Sequence, residues 1–190
     1  MATKKIKPQI RYLKELEKVI YDREWFKKAK NLVLYYIFRG VKEKDGIRYD
    51  ITIIPPRMLG KEFVKTKGHY HIGNFGELYK VLAGEGIFLM QKKDLNDAYF
   101  IKAKRGDFVK IPPGYGHTII NPSNKVLKIA NWVSKDCQSD YQSIEKKKGF
   151  CYYYTIEGWV KNKNYKKIPC LKEKKPLKEM PKSLRFLFST

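Results

Sequence analysis

The chain contains three histidines, His69, His71 and His117, and all three lie in two short segments built from residues that ligate metals. The first segment is Gly68-His69-Tyr70-His71, with Glu77 following beyond the turn-prone run Gly73-Asn74-Phe75-Gly76. The second runs from Gly106 through Pro112, Gly114 and His117 to Asn121. In an extended strand, side chains two apart face the same way, so His69 and His71 can aim both imidazoles at one point. A turn after His71 lets Glu77 open the next strand and return a carboxylate to that point, and a distant hairpin delivers His117 as the fourth ligand. Three imidazoles and one carboxylate suit manganese, iron, nickel, zinc or copper. An octahedral ion held this way keeps positions for water or substrate, where Lewis-acid chemistry takes place. A single strand histidine is ordinarily a satisfied core or surface residue. What sets these apart is that every histidine of the chain stands near one carboxylate at ligand spacing.

Such ligands need strands to carry them. Aromatic residues make up 14% of the chain, with fourteen tyrosines, and this composition with frequent turn residues favours a mainly β fold. Strands are expected over 32–39, 47–55, 62–71, 77–83, 87–91, 98–102, 107–111, 118–121, 126–133 and 149–157. About ten strands is the number a closed or two-sheet barrel needs. Asp45-Gly46 reads as a hairpin turn. Glu77, Tyr79, Val81 and Ala83 share a face, so Tyr79 looks into the same cavity as Glu77. Ahead of the strands, Leu13, Leu16 and Ile20 have helical spacing, and Asp22 reads as the N-cap of a helix over 23–30 whose Trp25, Phe26 and Ala29 cover the barrel. Asn121, before Pro122, reads as a turn residue rather than a ligand. Gly114 and Gly116 shape the turn that presents His117.

At 190 residues the chain can bury a full core, and we divide it into a single domain over 1–160 with a basic lead-in, and a basic, extended tail over 161–190. Pro169, Pro176 and Pro181 break any helix in that tail, and Leu184, Phe186, Leu187 and Phe188 could pin its end; an arm crossing its own barrel or a dimer mate is expected. The formal charge is +22, but only seven of the 41 basic residues are arginine. Arginine dominates base and bidentate phosphate recognition. The lysines are also spread along the chain, so no nucleic-acid partner is expected, although a positive field helps an anionic substrate to arrive. Cys137, Cys151 and Cys170 form no Cys-x-x-Cys, which points to a reducing compartment. No signal-like or membrane-spanning apolar run is present, so a cytoplasmic protein with no membrane partner is expected.

The two metal-ligand segments resemble the paired motifs of the cupin superfamily. Gly106, Pro112, Gly114, His117 and Asn121 match the second motif at every fixed position; in the first, Glu77 and Gly84 match, Phe63 replaces the usual leading glycine, and the gap from His71 to Glu77 is long. A narrower resemblance accounts for this. Thr52 to Pro55, Leu59 to Phe63, Thr66 to His71, Asp140-Tyr141, Ile144 and Lys148 to Phe150 are similar to the archaeal-type, cupin-fold glucose-6-phosphate isomerases, over roughly 11–155.

The resemblance implies a cupin double-stranded β-helix, or jelly-roll barrel, with a short N-terminal helical region and a basic C-terminal extension. It implies a metal-dependent aldose-ketose isomerase acting on glucose 6-phosphate and fructose 6-phosphate, a homodimer, and one divalent ion per subunit, iron or manganese, with nickel or zinc as alternatives. His69, His71, Glu77 and His117 would hold the ion. Glu77 and Tyr79 would be catalytic, and Tyr35, Thr52, Thr66, Gly68, Tyr79, Ser139 and Tyr141 would bind substrate. Ser139 stands where the family has a histidine, and Trp132 where it has a tyrosine. The aromatic stretch Phe150 to Tyr154 is expected to offer an edge or face for the dimer. A cupin dioxygenase using the same four ligands, or a non-catalytic sugar-phosphate-binding cupin, are the alternatives.

Overall fold

A computed structural model describes residues 6–188, so Met1 to Lys5 of the basic lead-in lie outside the described residues. The first element is a strand rather than a lead-in, β1 (Gln9–Tyr12), followed by a 3-10 helix over Leu13–Val19 and by α1 (Arg23–Lys28). Asp22 caps α1 by accepting from the Trp25 N–H at 3.0 Å. Leu13, Leu16 and Ile20 are buried, with Trp25, Phe26 and Ala29 partly buried against the same core. The helix stops at Lys28, short of the expected end, because the chain is already turning back: Leu32 O accepts from Leu13 N at 2.8 Å.

β2 (Val33–Lys44) and β3 (Ile47–Ile54) form the expected hairpin. Asp45 and Gly46 both adopt left-handed backbone, φ 51° and 73°, as a two-residue turn of the primed type requires. The remaining strands are β4 (Met58–Leu59), β5 (Glu62–Phe63), β6 (Tyr70–Ile72), β7 (Glu77–Ala83), β8 (Glu85–Lys92), β9 (Ala98–Lys104), β10 (Phe108–Ile111), β11 (Tyr115–Ile120), β12 (Leu127–Ser134) and β13 (Gln138–Asp140). After α2 (Gln142–Lys146) come β14 (Tyr152–Thr155), β15 (Gly158–Lys161) and β16 (Leu171–Lys174).

One sheet has the order β1-β2-β3-β12-β7-β10 and a second β11-β8-β9-β16, with β13-β6 and β15-β14-β5-β4 closing the ends. The two large sheets share one continuous apolar core, in which Leu34, Val81 and Ile129 of the first meet Phe88, Met90 and Ile119 of the second. This is the mainly β, double-stranded β-helix barrel of the cupins, with the alternation of buried and exposed residues deciding which face of each strand turns inward.

Three departures from the sequence reading have physical causes. The single strand expected over 62–71 breaks into β5 and β6, because Gly68 turns the chain with φ 76°; between them Lys65 and His69 make isolated bridges to Ile120 and His117. The strand expected over 149–157 is a hairpin, β14 to β15, turning at Gly158 with φ 96°. Phe150, Cys151, Tyr152 and Tyr153 are therefore buried, with β14 lying between β15 and β5. Tyr154 is only partly buried, packed between Phe63 and Trp159, and β14 meets β5 only at Thr155.

The basic extension crosses its own barrel. β16 adds to β9 in parallel, and Leu177 exchanges two backbone hydrogen bonds with Phe108, both 2.8 Å. Leu187 is fully buried in a second apolar cluster with Leu78 and Phe108 on the outer face of the first sheet. Trp132, Leu184 and Phe186 pack around it. Full burial of a leucine side chain contributes about 1.5–3 kcal/mol, which makes Leu187 the largest single apolar anchor of the terminal segment.

Candidate metal centre

The two ligand-bearing segments are bonded to each other directly. His69 N donates to His117 O at 3.2 Å and His117 N to His69 O at 3.0 Å, so one backbone bridge sets the spacing of two imidazoles. Gly68 makes this approach possible. Its φ of 76° disfavours any side chain, and a Cβ there would strike the Phe150 ring. His71 lies on β6, held by β13 through its pairing with Ser139. Its Nδ1 is 3.0 Å from the Phe75 carbonyl oxygen, which orients the ring and leaves Nε2 for the centre. Glu77 opens β7 as the turn chemistry predicted, with Oε1 accepting from Asn131 Nδ2 at 2.7 Å.

Glu77 Oε2 lies 3.3 Å from His71 Nε2 and 3.1 Å from His117 Nε2. The ligand atoms of His69, His71, Glu77 and His117 all lie within 4.8 Å of one another. Glu77 Oε2 and His117 Nδ1 are the buried side-chain polar atoms without a hydrogen-bond partner among the described residues. An ionised oxygen buried among imidazole nitrogens without a well-formed hydrogen bond is costly, and a cation shared by the four donors would remove that cost.

The electrostatics favour the ligating forms at Glu77, His69 and His117. Burial alone would raise the Glu77 carboxyl, but His117 and His71 outweigh it and hold it well below the usual carboxylate range. Burial, helped by His117 and His71, keeps His69 well below the ordinary imidazole value, and burial likewise lowers His117. Burial would also lower His71, but Cys137 and Glu77 push it up to about 10. Neutral imidazole and ionised carboxylate are the ligating forms. Two imidazoles are thus ready, and the third would release its proton on ligation.

One cavity of about 150 Å³ contains the whole set. The four donors and Tyr79 line it together with Tyr35, Thr52, Thr66, Gly68, Ser139 and Tyr141. The Tyr79 hydroxyl is 3.0 Å from His117 Nε2. Thr66 Oγ1 accepts from Ile119 N at 3.0 Å. The Tyr35 hydroxyl, pushed up to about 12 chiefly by burial, accepts from Lys67 N at 3.1 Å. Trp132 is the exception. It points away from the cavity, packing 5.0 Å from the Tyr49 ring beneath the C-terminal segment, so its difference from the family tyrosine concerns the outer face.

Sequence reasoning missed Asn131, Arg11, Lys67, Arg39 and Arg48, all of which line the cavity. Arg11 pairs with Glu15 at 2.6 Å and Lys67 with Glu145 at 2.6 Å. Arg39 and Arg48 both reach the buried Asp50, at 3.3 and 3.0 Å. A signal for one of these was present: Arg48 alternates with Asp50 and Thr52 on one face of β3.

The barrel and its four-donor centre define a cupin able to hold a metal ion. The family model for glucose-6-phosphate isomerase (GPI) matches residues 14–170. The glucose-6-phosphate isomerase of Thermococcus onnurineus is 31% identical over 157 residues, 80% of this chain and 82% of that one. That of Thermococcus gammatolerans is 30% identical over 154 residues, 78% and 80%. Among solved structures, oxalate decarboxylase from Bacillus subtilis aligns with 55% of this chain at 19% identity and a TM-score of 0.44; the match spans 27% of that chain's own length. This chain belongs to the glucose-6-phosphate isomerase family.

Proposed function

We propose that the chain interconverts glucose 6-phosphate and fructose 6-phosphate at this centre, with one divalent ion per subunit, iron or manganese, or alternatively nickel or zinc. The observation that carries the reading is that the four candidate donors, Tyr79 and the hydroxyl- and amide-rich end line one cavity. His69, His71, Glu77 and His117 would hold the ion. When bound, it supplies Lewis-acid polarisation of the substrate oxygens on the first two carbons.

The chain's own residues do the rest. Glu77, with Oε1 held by Asn131, is the base that moves a proton between those carbons. Tyr79 orients the sugar hydroxyls beside it. Thr52, Thr66, the Gly68 N–H, Ser139, Tyr35 and Tyr141 anchor the phosphate, which sets the register of the open sugar over the base. Arg11 and Lys67, each paired with a glutamate here, line the same cavity and are the cations available to a dianion where Ser139 supplies none. This favours a phosphorylated substrate over the aromatic or thiol substrates of a dioxygenase.

Around the enzyme, we propose a cytoplasmic homodimer with no nucleic-acid partner. No helix among the described residues is long and apolar enough to cross a membrane. Light scattering should report twice the 22.5 kDa chain mass. The deciding experiment is a coupled assay of fructose 6-phosphate isomerisation on protein reloaded in turn with manganese, iron, nickel and zinc. Turnover with at least one ion is expected, and its absence with all four would overturn the proposal.

A further inference from the structure

The turn between His71 and Glu77 is tied to the far end of the chain. Gly76 N donates to Phe186 O at 2.8 Å. The contact is close enough to require glycine: a Cβ on Gly76 would lie 2.6 Å from Phe186 O, 2.7 Å from Phe186 Cδ2 and 2.9 Å from Ile111 O. Both neighbours of Gly76 belong to the metal centre. Phe75 offers its carbonyl to His71 Nδ1, and Glu77 is a ligand.

The segment that supplies this contact is itself well anchored. Leu187, adjoining Phe186, is fully buried against Phe108 and Leu78, the residue that follows Glu77. Lys110 Nζ lies 4.2 Å from the Phe186 ring centroid. Upstream, Lys178 Nζ reaches Asp107 Oδ1 at 2.6 Å and Leu177 pairs with Phe108. Leu177, Lys178, Phe186 and Leu187 lie beyond residues 14–170, which the family model matches.

We propose that the C-terminal segment over 176–188 is a positioning element of the metal centre, fixing through the Gly76 N–H both the carbonyl that orients His71 and the strand start that delivers Glu77. The inference rests on reading the four donors as a metal site. It makes metal affinity depend on a side chain, Leu187, that touches no ligand. By linkage, ion binding must in turn tighten the segment.

The test uses full-length protein and Mn(II), with affinity measured by chelator competition. Leu187→Ser, which undocks the segment, and Gly76→Ala, which pushes Phe186 away, should each weaken Mn(II) binding by about tenfold or more. Each should also change the Mn(II) electron paramagnetic resonance spectrum at saturation. Leu59→Ala, a fully buried barrel leucine away from the turn, should lower the melting temperature and leave affinity unchanged. In the unmodified protein, Mn(II) should slow amide exchange at Leu187 and Phe188, whose N–H groups bond to Leu184 O and Arg185 O. If Leu187→Ser fails to fold, Gly76→Ala and the exchange experiment decide. Wild-type affinity in the variants, an equal loss in Leu59→Ala, or unchanged exchange would overturn the inference alone. Absence of Mn(II) binding by the wild-type chain would instead remove the metal reading on which it rests.

Discussion

Replacing Asn131 with leucine removes a hydrogen-bond donor at nearly constant size. Asn131 is buried on β12, paired with Tyr79 across the sheet, and donates to Glu77 Oε1 at 2.7 Å. A hydrogen bond to a charged group contributes about 1.5–3 kcal/mol, and each 1.4 kcal/mol is tenfold in an equilibrium constant. In the metal-free protein the freed carboxylate can swing toward the cavity, so the loss falls mainly on the bound state, where Glu77 must be pinned. Asn131→Leu should therefore bind Mn(II) about 10- to 100-fold more weakly by chelator competition, the range found when outer partners of metal ligands are removed. At saturating metal, kcat should fall because the base is less well aimed. KM for fructose 6-phosphate should change little, since Thr66 and Ser139 at the other end are untouched. A folded Asn131→Leu protein with wild-type affinity and kcat would refute the reasoning and leave Glu77 positioned by its other neighbours.

Three further outcomes are expected. Metal-loaded Glu77→Gln should lose most of kcat while keeping its fold by circular dichroism; turnover at the wild-type rate would remove Glu77 as the base. Thr66→Ala should mainly raise KM for phosphorylated sugars in steady-state kinetics, and a pure kcat effect would place Thr66 outside the phosphate end. Burial would raise the Asp107 carboxyl, but hydrogen bonds from Lys178 and the Lys104 N–H hold it below the usual carboxylate value. A depressed carboxyl adds stability above its unfolded pKa, about 3.9, and that stability is lost as pH falls through the folded value. Asp107→Asn should thus flatten the acid limb of Tm against pH, and an unchanged limb would contradict this sign.

The candidate ligands were legible because their chemistry demands a scarce residue at fixed spacing, and a chain with three histidines has little room for coincidence. The strand hairpin at Asp45-Gly46 was legible because left-handed backbone at both positions leaves few residue choices. The cavity cations were hidden for the opposite reason. Arg11, Arg39 and Lys67 are three among 41 basic residues, and nothing local separates a lysine that faces a cavity from one that faces water. The break at Gly68 was also hidden, because what replaces the strand is a bridge from His69 to His117, far away in sequence. β16 could not be read at all: Leu171–Lys174 carries no apolar alternation, and its attachment to β9 is made by backbone groups that every residue possesses.

The long interval between His71 and Glu77 is where local and distant structure meet. A two-residue hairpin would fix the geometry of both ligands by itself, whereas a longer turn admits more conformations. Lengthening a loop costs little closure entropy, about 0.6 kcal/mol per doubling, so the penalty lies in precision rather than stability. Precision at a metal centre must then come from outside the turn. Here Phe186 provides it through Gly76, and the absence of a side chain at Gly76 lets the two backbones approach. The long turn of the first motif and the segment past residue 170 therefore meet at one point, where the C-terminal segment supports a turn that does not fix the two ligands by itself.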